Sequence, residues 1–171
     1  MQKMTNDQGD YSFDQIPLGR TLHVSAYKDD DVTQGIDMYD YTLLSMHLDG
    51  VRLLRDHHEL IAADVDGNKV IDQDDLLALQ RLILGIDKRI ASNTAWKFVP
   101  LDYEFPDTVS PLLVELPGQF SIRPYNGGEM HVDFRAIKIG DISAQSRTEA
   151  SGEERGNRTM VASDHLVAPA E

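Results

Sequence analysis

The stretch ADVDGNKVIDQDD, residues 63–75, carries five aspartates and one asparagine and runs directly into the leucine-rich segment LLALQRLILG, residues 76–85. The whole chain of 171 residues is already acidic, with a formal net charge of −13 at pH 7. Carboxylates this close together repel one another, and the repulsion opposes folding unless a cation lies between them. The stretch therefore indicates a cation-binding loop followed by a buried helix.

The composition argues against several classes of function. A hydrophobic content of 41 % is enough for a globular core of one or two small domains. The negative charge disfavours binding to nucleic acid, and no apolar run approaches the roughly 20 residues that cross a bilayer. Cysteine is absent, which removes disulfides, thiolate metal sites and cysteine nucleophiles. We expect no nucleic-acid partner and no membrane insertion.

The acidic loop occurs twice, at an offset of 35 residues, as DDDVTQGIDMYDYTLLSMHLDG (residues 29–50) and DVDGNKVIDQDDLLALQRLILG (residues 64–85). Acidic residues recur at loop positions 1, 3, 9 and 12, an isoleucine recurs at position 8, and a leucine-rich segment follows in both copies. A repeat of this kind predicts one loop-helix unit used twice, with the two copies packed face to face.

The spacing matches the way a twelve-residue loop holds calcium. Calcium takes six to eight oxygen ligands at about 2.3–2.6 Å, which such a loop supplies from positions 1, 3, 5, 7, 9 and 12. In the second loop these positions are Asp64, Asp66, Asn68, the Val70 carbonyl, Asp72 and Asp75. In the first loop they are Asp29, Asp31, Thr33, Gly35, Asp37 and Asp40. We therefore predict two calcium sites.

Both loops depart from the usual EF-hand pattern. Position 6 is Lys69 in the second loop, where glycine normally makes the sharp turn, and position 12 is Asp75 instead of glutamate. The first loop departs further, because its position 5 is Thr33. An ordinary solvated acidic turn stays open as the alternative at each loop, and the second loop fits calcium better.

Residues 28–90, with their paired loop-helix units and aspartate at position 12, resemble a type I dockerin module. The resemblance implies a pair of F-hand units, each a calcium loop and a helix, with a linker that can carry a short helix. It also implies binding to a cohesin-like domain through the helices and through loop positions 10 and 11. Those positions are Met38, Tyr39, Gln73 and Asp74.

The segments on either side of the repeat alternate apolar and polar residues. Residues 11–16 and 22–27, separated by PLG, predict a β-hairpin that must pack on the rest of the chain or on another copy. After the repeat, the runs AWKFVP, PLLVEL, QFSIRP and VDFRAIKIGDIS predict further short strands. The order of these later runs resembles a region that follows dockerin-like repeats in very large secreted proteins of Bacteroidetes.

Five segments follow from these patterns. They are the end of a β-sandwich-like domain (1–27), the calcium-binding pair (28–90), a β-rich extension packed on it (91–143), a linker (144–158) and a possible first strand of another domain (159–171). The expected fold class is α+β, with a dockerin-like pair of calcium loop-helix units flanked by short antiparallel strands.

Other side chains suggest more ordinary roles. His57 and His58 are adjacent and predict a solvated surface pair, since neighbouring residues of a helix or strand face different ways. The apolar stripe of the second helix predicts its core face; its members are Leu76, Leu79, Leu82, Ile83 and Ile86. No catalytic triad context or tuned carboxylate pair is present, so we expect no enzymatic activity.

The sequence thus predicts a calcium-binding assembly module of an extracellular or cell-surface bacterial protein, with a cohesin-like domain or neighbouring copies of the same chain as partners. One alternative is a calcium-stiffened stalk or filament subunit that assembles by β-strand addition. An intracellular calcium sensor and a polysaccharide-binding module remain open as well.

Overall fold

The computed structural model describes residues 2–6, 9–28, 32–90, 93–106, 110–128 and 130–144, and the backbone of 161–163. This part of the chain forms three helices and seven short strands, which confirms the α+β class. The elements in chain order are β1 (Gln2–Met4), β2 (Leu22–Val24), β3 (Ala26–Tyr27), α1 (Met38–Leu48), α2 (His57–Ala63), α3 (Gln73–Ile83), β4 (Trp96–Pro100), β5 (Phe120–Ile122), β6 (Phe134–Lys138) and β7 (Val161–Ser163).

Helices α1 and α3 begin in the same way, 35 residues apart. Asp37 caps α1 and receives a hydrogen bond from the N–H of Tyr39, while its own N–H donates to Asp40 at 2.9 Å. Asp72 caps α3, and its N–H donates to Asp75 at 3.0 Å. This reciprocal bonding is a capping box with aspartate as the acidic partner.

The two helices also end alike. Gly50 and Gly85 adopt φ values of 69° and 67°, and the residue that follows each glycine donates its N–H to a carbonyl in the last helical turn. Such left-handed residues stop a helix, and glycine adopts them without a Cβ penalty. The repeat seen in the sequence is therefore a repeat of backbone geometry from cap to cap.

The core lies where the two repeated units meet. Leu44 of α1 and Leu79 of α3 occupy equivalent repeat positions, and both are fully buried. The segment after β6 enters the same region, where Gly140 donates its N–H to Ala62 of α2 at 2.8 Å. A Cβ on Gly140 would lie 2.8 Å from Ile36 Cδ1, and the φ of Gly140 is +89°, so a side chain here would both displace Ile36 and strain the backbone.

The strands pair differently from the sequence prediction. The expected hairpin is wrong, because β2 pairs antiparallel with β5, residues 120–122, and residues 11–16 form no strand. The expected strand at residues 111–116 is also wrong, since this stretch forms a turn. The runs AWKFVP and VDFRAIKIGDIS do supply β4 and β6, which pair with each other.

The terminal strands meet in a third sheet. Strand β7 lies between β1 and β3 and pairs antiparallel with both. The strand expected in residues 159–171 is thus present at 161–163 and is bonded to the N-terminal part of the chain. The linker expected at 144–158 lies outside the described residues apart from Ala144.

Two side-chain predictions need correction. Ile86 is 57 % exposed and does not belong to the buried stripe that Leu76, Leu79 and Leu82 form. The histidine pair is half-buried and not freely solvated. His57 stacks on Phe105 with ring centroids 4.8 Å apart, and His58 lies between Asp56 and Arg135.

None of the helices in the described part of the chain combines the length and the apolar character of a membrane span.

Candidate metal centre

Three carboxylates of the second loop converge. Asp64 ends α2, Asp66 lies in the loop and Asp75 belongs to the first turn of α3. Each offers an oxygen, and these oxygens lie within 4.8 Å of one another. Asp64 and Asp75 are at most 1 % exposed, whereas Asp66 is partly open to solvent. The cluster therefore spans the junction between two helices.

The loop backbone holds these carboxylates in place. The N–H of Lys69 donates to Asp64 Oδ1 at 3.2 Å, and the N–H of Asp66 donates to Asp75 Oδ1 at 3.0 Å. Gly67 and Lys69 have φ values of 76° and 72°. Lys69 thus takes the left-handed conformation that glycine normally provides at position 6, at a cost of about 1–2 kcal/mol.

Burial and mutual repulsion make the cluster unfavourable on its own. Burial is the main cause that raises the pKa of Asp75 to about 6, and the charges of Asp66 and Asp64 add to it against opposing backbone hydrogen bonds. Burial also raises the pKa of Asp64. Among the described residues, no lysine or arginine forms an ion pair with any of the three carboxylates.

The chemistry of this donor set fits a hard divalent cation. Buried carboxylates need a compensating charge, and calcium binds carboxylate and carbonyl oxygens in preference to nitrogen or sulfur. The groups are already preoriented by the loop, so a cation would replace repulsion with coordination.

The other expected ligands of this loop lie around the cluster. The exposed Asn68 donates its amide to Asp66 Oδ2 at 3.0 Å, and its Oδ1 accepts the N–H of Val70 at 2.7 Å. Asp72 is outside the group of converging carboxylates, and its Oδ1 accepts the N–H of Asp74 at 2.8 Å. Position 9 often reaches calcium through water, which is compatible with this placement.

The first loop differs from the second in the environment of its predicted ligands. Asp29 and Asp31 lie outside the described residues. Thr33 is exposed, and its carbonyl accepts the N–H of Ile36 at 3.1 Å across a turn in which Gly35 has a φ of 74°. Asp37 is used as the cap of α1. Within the described part of the chain, this loop does not gather three carboxylates as the second one does.

Asp40, at position 12 of the first loop, is bound by a distant part of the chain. It is fully buried, and its Oδ1 accepts the N–H of Ser143 at 2.8 Å. The equivalent oxygen of Asp75 is bound by Asp66 of its own loop. Burial raises the pKa of Asp40, and the nearby carboxylate of Asp141 raises it further.

Three residues that lie against the loops were not predicted from the sequence. Asn93 donates its amide to the carbonyl of Asp64 at 2.9 Å and packs against Gly67, and Ser143 and Asp141 adjoin Asp40. Each lies far along the chain from the loop that it contacts. No local pattern marks such residues, so only the folded chain reveals them.

The four predicted partner-binding residues share one environment. Met38 and Tyr39 form the first turn of α1 and are 57 % and 53 % exposed. Gln73 and Asp74 form the first turn of α3 and are exposed too. All four are therefore accessible to another molecule, next to the two acidic loops.

Comparison of the chain with protein-family models, curated proteins and solved structures finds no match.

Proposed function

We propose that this chain is a calcium-binding, dockerin-like assembly module of an extracellular protein. The observation that carries the proposal is the convergence of Asp64, Asp66 and Asp75, two of them buried, with no ion pair to a lysine or arginine among the residues that the structure describes. Asn68, the Val70 carbonyl and Asp72 would complete the oxygen shell. The first loop is the second proposed site, centred on Asp40.

Calcium would act here as a structural link. Asp64 belongs to the end of α2 and Asp75 to the start of α3, so an ion bound by both would fix the angle between the helices. Calcium-binding extracellular modules have dissociation constants of about 10⁻⁴–10⁻³ M, which suits the calcium level outside cells. An extracellular or cell-surface location is therefore part of the proposal.

Assembly would use the surface next to the loops. Two large apolar side chains, Met38 and Tyr39, are adjacent and exposed, and aromatic side chains of this kind are enriched at interface hot spots. Gln73 and Asp74 occupy the equivalent place in the second unit. We assign this surface to a cohesin-like partner, and we assign no catalytic role to the chain.

The test is thermal unfolding and calorimetric titration with calcium. At a free calcium concentration about 100 times the dissociation constant, binding adds about 2.7 kcal/mol. For a chain of this size that is a rise in Tm of about 5–11 °C over EDTA. Asp64→Ala should remove the share of the rise that comes from the second loop, while Asp74→Ala, which changes an exposed carboxylate outside the cluster, should keep the full rise.

Equal loss in both variants, or the same Tm in calcium and EDTA, would contradict the calcium site. The partner surface has a separate readout. Binding of a type I cohesin domain should require calcium and should weaken in Tyr39→Ala. Calcium binding without cohesin binding would support the proposed metal site and refute the proposed cohesin-like partner.

A second candidate function, assembly by strand addition, has its own supporting observation. Strand β7 lies between β1 and β3 and pairs with both. It is preceded by 16 residues, 145–160, and a fully extended segment of that length spans up to about 55 Å. A second copy could supply this strand, because domain swapping reuses the same contacts.

Cysteine variants test strand exchange cleanly, since the chain has no native cysteine. Lys3 and Ala162 are paired across β1 and β7. Mixing Lys3→Cys with Ala162→Cys should give disulfide-linked heterodimers whose yield rises with protein concentration. Thr42→Cys, an exposed position on α1, replaces Lys3→Cys as the control. A yield equal to this control would rule out exchange.

A further inference from the structure

A cavity of about 340 Å³ opens beside the second loop. Its size lies within the range of small-ligand pockets, which is roughly 300–1,000 Å³. Its apolar wall includes Ile61, Trp96 and Phe98, and its charged groups include Asp64, Lys69 and Lys97. One candidate calcium ligand, Asp64, therefore also lines a pocket with aromatic walls.

Lys97 is a charged residue in the lining of this cavity. Its side chain is half-buried, and it forms no hydrogen bond or ion pair with the described residues. Its electrostatic neighbours are the carboxylate of Asp64, which favours its charge, and the ammonium of Lys69, which opposes it. A half-buried ammonium without a bonded partner is available to an anionic ligand.

More positive charge surrounds the aromatic wall. The Nζ atoms of Lys28 and Lys138 lie 4.7 Å and 5.0 Å from the centroid of the Trp96 ring. Two lysines, Lys69 and Lys97, thus line the cavity and two more lie against the ring of Trp96, in a chain whose net charge is −13. Glu115 also lines the cavity, but it is exposed, so solvent screens its charge.

The carboxylate of Asp64 would interact electrostatically with both a bound calcium ion and the ammonium of Lys97. When a cation is bound to Asp64, that carboxylate no longer offsets the ammonium groups, and the cation adds its own positive field at the cavity mouth. The potential there rises while the apolar wall stays unchanged. An anion that carries an apolar group would bind the lysine ammonium groups through its charge and pack on the apolar wall.

We propose that this cavity binds a carboxylate attached to an aliphatic or aromatic group, with Lys69 and Lys97 contacting the carboxylate, and that calcium at the second loop strengthens the binding. The anion site rests on the proposed calcium site. A small carboxylic acid and the free C-terminus of a peptide that ends in an apolar residue have the same chemistry.

Trp96 provides the readout, because it is the only tryptophan of the chain and forms part of the wall. The probe is 3-phenylpropionate, with 3-phenylpropionamide as its uncharged analogue. In calcium, 3-phenylpropionate should change the Trp96 fluorescence in a saturable way. The dissociation constant of 3-phenylpropionamide should be at least about tenfold higher than that of 3-phenylpropionate. The dissociation constant of 3-phenylpropionate should rise by a similar factor when EDTA replaces calcium. A tenfold change corresponds to about 1.4 kcal/mol.

Matched lysine variants locate the anion contact. Lys97→Met and Lys69→Gln should each weaken binding of 3-phenylpropionate, whereas Lys88→Met, which removes an exposed lysine outside the cavity, should not. Gly-Gly-Phe with a free C-terminus, compared with its C-terminal amide, distinguishes the two ligand sources. Tighter binding of the free peptide than of 3-phenylpropionate would indicate a protein C-terminus, and the reverse would indicate a small acid.

Three results would overturn the anion site. They are no saturable change with 3-phenylpropionate, equal affinity for acid and amide, and equal loss in Lys97→Met and Lys88→Met. Calorimetric calcium titration of the same samples separates the two proposals. Normal calcium binding without probe binding would refute the anion site alone, while saturable probe binding without calcium binding would refute the calcium site and its effect on the anion site.

Discussion

Lowering the pH from 7.5 to 5 in the absence of calcium should stabilise this protein through Asp75. The carboxyl is fully buried and faces two other carboxylates, which is why its folded-state pKa is raised from 3.8 to about 6. The folded state therefore takes up a proton at a higher pH than the unfolded state does. The free energy of unfolding must rise as the pH falls through about 6, and the gain is complete below 3.8.

The two pKa values set the size of the effect. Linkage gives about 1.4 kcal/mol between pH 7.5 and 5 from Asp75 alone. That corresponds to a rise in Tm of about 3–6 °C for a chain of this length. The pKa values of Asp40 and Asp64 are raised as well, so their contributions have the same sign. Saturating calcium should remove the effect, because a bound cation favours the charged carboxylate.

The assay is thermal unfolding in EDTA and in excess calcium, at several pH values from 7.5 to 5, for the wild type and for Asp75→Asn. The chain has six histidines that also titrate in this range, but both proteins contain them. The difference between the two proteins therefore isolates Asp75. If Tm in EDTA changes equally with pH in both proteins, the pKa of Asp75 is not raised in the folded state and the electrostatic reasoning is wrong.

Three further substitutions test the packing. Gly140→Ala should cost about 2–5 kcal/mol in thermal unfolding, because its Cβ would meet Ile36 and its φ is +89°, whereas Gly118→Ala has open space and should be neutral. Leu79→Ala should cost about 2–5 kcal/mol, and exposed Leu77→Ala less than about 0.5 kcal/mol. Asp56→Ala removes the cap of α2 and should cost about 0.5–2 kcal/mol, measured by chemical denaturation. Equal costs within the glycine or leucine pair, or no cost for Asp56→Ala, would contradict the corresponding contact.

The repeated units could be predicted because their signals are local. Aspartates at fixed spacing, a helical apolar period and a closing glycine all lie within 22 residues of each copy, from 29 to 50 and from 64 to 85. These features determine where α1 and α3 begin and end. The convergence of Asp64, Asp66 and Asp75 follows from the same loop, so the spacing alone was sufficient to predict it.

The strand pairing could not be predicted because it depends on distant partners. Residues 22–24 pair with residues 120–122 and not with the preceding run, although PLG offers a turn between the two runs. Short alternating segments fit several partners equally well, and packing decides among them. The partial burial of the two histidines could not be predicted for the same reason, since Phe105 lies far along the chain from His57.

The hydrogen bond from Ser143 to Asp40 has a consequence for where this molecule can be divided. One copy of the duplicated unit closes on itself, while the other is completed by residues that come after the last strand of the extension. A fragment that stopped at residue 90 would lose the Ser143 donor of Asp40 and would remove Ile139 and Ile142 from the interior. The smallest piece that keeps both halves intact therefore ends no earlier than Ser143, and the two copies share their backbone geometry but not the source of their last hydrogen bond.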